Sequence, residues 1–236
     1  MSDVITSPLL ETRNLNAGYG RSQVLFDLSI AIPPTGAVAI LGRNGAGKTT
    51  LLKTLAGEIK PMSGHIMLAG QDVTDSTPER RARGGIGHVP QEHAIFAKMT
   101  VRENLLLGGG GSPDKRAVDE MLEFFPKLGK RLGQTAATLS GGERKMLAIS
   151  RALLGRPKVI MLDEPTEGVW IGVIEEIADR LAELATRMSV ILVEQHVELA
   201  LRVADTAYVI DRGTIALSGP AAHVRDDPAL LRYLAP

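Results

Sequence analysis

Three short segments hold side chains spaced for phosphate chemistry. Residues 42–49 read GRNGAGKT, which fits the pattern G-x-x-x-x-G-K-[ST] at every fixed position. Gly42, Gly45 and Gly47 let the backbone curl around an anion without Cβ clashes, so that successive N–H groups point inward. Lys48 adds a positive charge. A helix opening at about Gly47 would aim its unpaired N–H groups and positive dipole end at the same anion, and Thr49 would set a hydroxyl on Mg²⁺. The second segment is Asp163-Glu164 and the third Glu194-Gln195-His196. This loop predicts a chain that binds a nucleoside triphosphate.

Each segment follows an apolar run. Residues 37–41 (AVAIL), 159–162 (VIML) and 190–193 (VILV) are continuous stretches suited to parallel strands buried on both faces. In an open α/β sheet the ligand lies beyond the carboxyl ends of the strands. Parallel packing would therefore bring the phosphate loop, Asp163-Glu164 and His196 to one edge. There Asp163 is placed to hold Mg²⁺ through water, and the adjacent Glu164 to orient and polarise an attacking water as general base.

The connecting elements have their own signatures. Leu51, Leu52 and Leu55 mark the helix after the loop; Met146, Ile149 and Leu153 mark a second, and Ile174, Ile177, Leu181 and Leu184 a third. Thr100 with Glu103, and Ser140 with Glu143, have capping-box spacing. Ser140, Gly141 and Gly142 would make the second helix's start a further anion site. Residues 9–32, around Gly18-Tyr19-Gly20, read as antiparallel strands and hairpins, with a strand at 65–68 joining them. Residues 208–210 and 214–217 flank an Asp211-Arg212-Gly213 turn as a closing hairpin. The glycines at 108–111 read as a flexible break.

Composition removes several classes. Among 236 residues, 27 Lys and Arg balance 27 Asp and Glu, so there is no basic excess for a dedicated nucleic-acid binder. The lack of cysteine removes disulfides, zinc-thiolate sites and thiol catalysis. The opening MSDVITSPLLETRN carries Asp3 and has no signal-peptide core, and no run approaches about 18 apolar residues. The expectation is a cytoplasmic protein, any membrane role being through a partner.

The motif LSGGE at 139–143, about twenty residues before the Asp163-Glu164 strand, completes a pattern. The chain resembles the ATP-binding cassette (ABC) ATPases over nearly its whole length. The resemblance implies an α/β fold: a P-loop NTPase parallel-sheet core, an N-terminal antiparallel β-subdomain and an inserted α-helical subdomain. Residues 1–236 would form a single ABC ATPase domain, with the helical subdomain at about 92–151. It implies ATP and Mg²⁺ as cofactors. Tyr19 matches the aromatic that stacks on adenine, Gln91 the linker glutamine that senses Mg²⁺ and the transmembrane partner, and His196 the switch histidine on the γ-phosphate. The catalytic set is Glu164, His196 and Lys48, and the metal set Thr49, Gln91 and Asp163. Nucleotide is held by Tyr19, Gly42, Asn44, Gly45, Gly47, Lys48, Thr49 and Thr50, with Ser140, Gly141 and Gly142 closing on the ATP of the facing subunit.

The phrases NAGYGRSQVL, FAKMTVRENLLLG, LSGGERKMLAISRALL and LVEQHVELAL resemble the second ATPase of branched-chain amino acid importers. The partners implied are a second ATPase subunit, two transmembrane permeases and a periplasmic or extracellular solute-binding protein. A urea or short-amide importer, a lipid or lipopolysaccharide transporter and a soluble ATP-clamp ATPase are the alternative readings. One departure stands out. Where the family ends its next loop in Leu-Asp, this chain has Val169 and Trp170. The aspartate that couples the two sites is missing, and Trp170 becomes either a partner contact or an anchor for the following helix.

Overall fold

The computed structural model of the chain describes residues 7–110 and 114–234. Asp3 and Gly111, used above, lie outside them. A mixed six-stranded sheet has the order β10-β9-β3-β8-β7-β6. Its strands are β3 (Gly36–Leu41), β6 (Ile86–Val89), β7 (Val159–Asp163), β8 (Ser189–Val193), β9 (Thr206–Asp211) and β10 (Thr214–Pro220). All neighbours pair in parallel except β10, which closes the edge as an antiparallel hairpin with β9. The second sheet, β2-β1-β4-β5, is antiparallel and comprises β1 (Leu10–Tyr19), β2 (Ser22–Ile32), β4 (Ser63–Leu68) and β5 (Gln71–Asp72).

Strand alternation divides the core in two. Val38, Ile40, Val159, Met161, Ile191 and Val193 face β1, β2 and helix α1 (Lys48–Ala56), where Leu51, Leu52 and Leu55 are fully buried. Their neighbours Ala39, Leu41, Ile160, Leu162, Val190 and Leu192 face the other helices. Successive strand side chains point to opposite faces, so a strand covered on both sides must be apolar throughout. Each buried leucine of α1 contributes about 2–3 kcal/mol through the area it removes from water.

Between β6 and β7 lie α3 (Val101–Gly108), α4 (Lys115–Phe124), α5 (Pro126–Gly129) and α6 (Gly141–Leu154). Both capping boxes form: Thr100 with Glu103 starts α3, and Ser140 with Glu143 starts α6. After β7 come α7 (Ile171–Ala185), α8 (Val197–Val203), α9 (Ala221–Asp226) and α10 (Leu230–Leu234). None of the helices among the described residues is long and apolar enough to cross a membrane.

Among the elements with no counterpart in the sequence analysis are a helix and a strand of the core. Helix α2 (Pro78–Gly84) has the sequence PERRARG and no apolar stripe. Thr77 caps it, Pro78 pre-sets its first turn, and its buried face is Arg81, which is 1% exposed. Arg81 donates to the carbonyls of Thr54 and Leu55 at the end of α1 and to that of Thr74. It therefore supplies a donor to the Leu55 carbonyl at the helix end and a second donor to that of Thr54, which also accepts from the Gly57 N–H. Strand β6 escaped notice because Gly87 and His88 interrupt its apolar pattern.

Candidate functional site

The carboxyl ends of β3, β8 and β7 coincide, because Ile40 and Asp163 both align with Val193. The phosphate loop leaves β3 there. Gly42, Gly45 and Gly47 all adopt positive φ, at 149°, 79° and 112°. At Gly42 and Gly47 space is also decisive: a Cβ would stand 2.3 Å from the Ile210 carbonyl oxygen or 2.8 Å from Leu25 Cδ2. The N-terminus of α1 has no side-chain cap. Its N–H groups stay available to an anion.

Lys48 is 5% exposed, and its Nζ donates to the carbonyls of Gly42 (2.7 Å) and Arg43 (3.0 Å). Burial lowers its pKa, while Glu164 and Asp163 push the other way. Asp163 is 2% exposed and its Oδ1 has no hydrogen-bond partner. Burial raises its pKa, opposed by the Thr49 hydroxyl, with Glu164 adding to the rise. His88 and Lys48 pull the other way without cancelling the effect of burial.

Glu164 is buried with φ of 49°, a left-handed conformation costing about 1–2 kcal/mol in a residue with a Cβ. Its N–H donates to the Val193 carbonyl at 2.9 Å. Gln195 Nε2 donates to both carboxylate oxygens at 3.0 Å, and Gln91 Nε2 to Oε2 at 3.0 Å and to Glu167 Oε2 at 2.9 Å. Glu194, 2% exposed, accepts from the Thr166 N–H and hydroxyl, and burial raises its pKa against those bonds.

These groups surround a cleft of about 500 Å³. Tyr19, Asn44, Gly45, Gly47, Lys48, Thr49, Thr50, Gln91 and Glu164 line it, and all were read from the sequence. Tyr19 is half exposed at its rim, 3.5 Å from the Thr50 hydroxyl. Gly42 lines an adjoining cavity with Asn44 and Gln195, and the buried Asp163 does not line the cleft.

His196 stands apart from these groups. It is exposed, occupies the N-cap position of α8 and does not line the cleft. Gln195, also exposed, lines the cleft and directs its Nε2 to Glu164. A one-residue step along an extended segment reverses side-chain direction, whereas the resemblance gave the switch role to His196. Val24 and Glu167 are the other lining residues missed.

Ser140, Gly141 and Gly142 do not line the phosphate cleft. Ser140 is exposed and its capping box is complete: Glu143 N–H donates to Ser140 Oγ, and Ser140 N–H to Glu143 Oε2. Gly142 is buried, where a Cβ would meet Val173 at 2.5 Å. Close by, Trp170 stands 74% exposed at the start of α7. Its ring lies over Gly172, where any Cβ would come within 2.0 Å of the ring. Trp170 is thus a surface residue and not a buried anchor.

The sequence model of the ABC transporter family matches residues 25–167, from the first hairpin to beyond Glu164. The chain belongs to the ABC transporter family. A probable branched-chain amino acid transport ATP-binding protein of Archaeoglobus fulgidus is 39% identical over 90% of this chain and 92% of its own. A high-affinity branched-chain amino acid transport ATP-binding protein of Pseudomonas aeruginosa is 38% identical over 93% and 96%. A lipopolysaccharide export system ATP-binding protein of Haemophilus influenzae is 34% identical over 95% of each chain. The ADP conformation of an ATP-binding cassette of an ABC transporter has a TM-score of 0.86 and 30% identity over 97% of this chain and 98% of that one. As an ABC ATPase, the chain binds nucleotide and hydrolyses ATP in the service of transport.

Proposed function

We propose that this ABC ATPase energises the import of branched-chain amino acids. The observation that carries this reading is the 38–39% identity, over nearly full length, to two branched-chain amino acid transport ATP-binding proteins. In this reading residues 1–236 act as one ATPase domain that pairs with a second ATPase subunit. It docks on two permeases from the cytoplasmic face of the cell membrane, and a solute-binding protein outside supplies the cargo.

Within the cleft, Lys48 and the loop N–H groups hold the phosphates, and Tyr19 offers its ring to the base. The unpaired Asp163 Oδ1 beside Thr49 fits a divalent cation. Asp163, Thr49 and Gln91 would hold Mg²⁺, which offsets phosphate charge when bound. Glu164 polarises the attacking water, and Gln195 takes the position first given to His196. In the paired state Ser140, Gly141 and Gly142 face the partner's nucleotide.

The test is a mild-detergent pull-down of tagged protein from native membranes, with ATPase activity measured against leucine, isoleucine or valine delivered by a recovered binding protein. Two permeases, a sister ATPase and stimulation by these amino acids support the reading. Stimulation by urea or amides alone, or by lipopolysaccharide alone, replaces it. Glu164→Gln is expected to keep ATP binding, lose at least about 100-fold in turnover and accumulate an ATP-bound dimer. Ordinary steady-state hydrolysis by that variant removes Glu164 from the base role.

A further inference from the structure

Glu164 is held by its backbone as well as its carboxylate. Its left-handed φ persists only where the surroundings over-determine it, and its N–H is tied to Val193. The carbonyl is tied by a side chain from elsewhere in the fold: Lys145 Nζ, from the second turn of α6, donates to Glu164 O at 2.9 Å. The same ammonium donates to Gln91 O at 3.3 Å. One cation thus joins the helix that begins at Ser140, the segment after β6 and the end of β7.

We propose that Lys145 is a positioning residue for ATP hydrolysis, holding the Glu164 and Gln91 backbones so that the Glu164 carboxylate faces the cleft. The inference rests on the reading of Glu164 as the group that polarises water. Lys145 lies outside the phosphate cleft, so its effect passes through the two carbonyls. Glu164 is buried, and a carbonyl there without a donor must find another partner by moving. Such a move rotates the carboxylate away from Gln91 and Gln195. Burial lowers the Lys145 pKa, but Glu167, Glu194, Glu164 and Asp163 oppose that shift and favour the charged form. Lys145 also sits five residues after Ser140, on the helix whose start meets the partner in the paired state. A displacement of α6 would reach Glu164 through this ammonium.

Lys145→Met, Lys145→Arg and Glu164→Gln are compared with the parent as full-length chains purified with their membrane partners. ATP affinity is read by nucleotide titration and turnover by steady-state hydrolysis. The expectation for Lys145→Met is a kcat lowered by roughly tenfold or more, with KM and ATP affinity within about twofold. Lys145→Arg, which retains charge and donors, recovers most of the loss. Should the methionine variant not fold, Lys145→Ser, too short for either carbonyl, is held to the same outcomes. An inactive Glu164→Gln beside a fully active Lys145→Met overturns the positioning role alone. A loss of affinity equal to the loss of turnover, or no recovery with arginine, also overturns it. An active Glu164→Gln overturns the underlying reading instead.

Discussion

Two helices begin at glycine-rich loops in this molecule, and they finish their N-termini in opposite ways. Helix α1 begins at a left-handed Gly47 with no side-chain cap, and its first residue is the buried Lys48. Helix α6 begins at an exposed Ser140 whose capping box uses both of its reciprocal bonds. Their carboxylates differ accordingly. Asp163 is pushed up by burial, whereas Glu143 is held below its ordinary value, chiefly by the Ser140 N–H. The α1 end is costly as a piece of fold and is completed by a ligand. The α6 end is complete as a piece of fold, so its role in binding requires another surface to be brought to it.

The sharpest way to break this contrast is to remove the cation of the α1 end. Lys48→Ala is expected to lower turnover by about 100-fold or more while leaving the nucleotide-free fold intact, since a buried charge is removed along with its bonds. Unchanged ATP affinity and turnover would show that the loop binds through its backbone alone. A bulky charge at the α6 end should do the reverse. Ser140→Arg is expected to abolish the ATP-dependent dimer while ATP affinity of the single chain stays within about twofold, because Ser140 lies outside the cleft. An unaltered dimer would place the partner's nucleotide elsewhere.

A finer test separates neighbours at the end of β8. Gln195→Ala is expected to cost about 10- to 100-fold in kcat through loss of the two bonds to Glu164, and His196→Ala less than about twofold. The opposite ranking, measured under single-turnover conditions, would restore the imidazole to the mechanism.

The smallest effects concern stability against pH. Asp163 has a raised folded pKa, so the native state takes up its proton first and gains stability as pH falls. Asp163→Asn should therefore raise the melting temperature of nucleotide-free protein near pH 7–8, with the gain shrinking in acid. Glu143 has a lowered folded pKa, so its contribution is present above the ordinary glutamate range and lost as pH falls through the folded value. Glu143→Gln should lower the melting temperature at neutral pH, with the deficit vanishing in acid. Melting curves that shift in the same direction would refute the contrast.

The same two ends show what a sequence can disclose. The phosphate loop and both capping boxes were legible because each is a local pattern whose geometry follows from residue types a few positions apart. The strands β3, β7 and β8 were legible because burial on both faces leaves an unbroken apolar run. Helix α2 was not, since its stability comes from a cap and from Arg81 reaching a different helix, and neither leaves a periodic trace. The direction of Gln195 and the reach of Lys145 were equally hidden. Both depend on how separate segments are placed in three dimensions, although the residues stood inside motifs already singled out. His196 shows the converse case: it lies outside the cleft, and its neighbour Gln195 makes the bonds to Glu164.

Trp170 is the chain's single tryptophan, seated on Gly172 and open to water beside the start of α6. The protein therefore carries its own optical reporter. Its ultraviolet emission comes from one known place and begins at the long wavelengths of a hydrated indole. Any partner that covers this corner must shift that emission toward the blue, so subunit pairing can be followed in real time without attaching a dye.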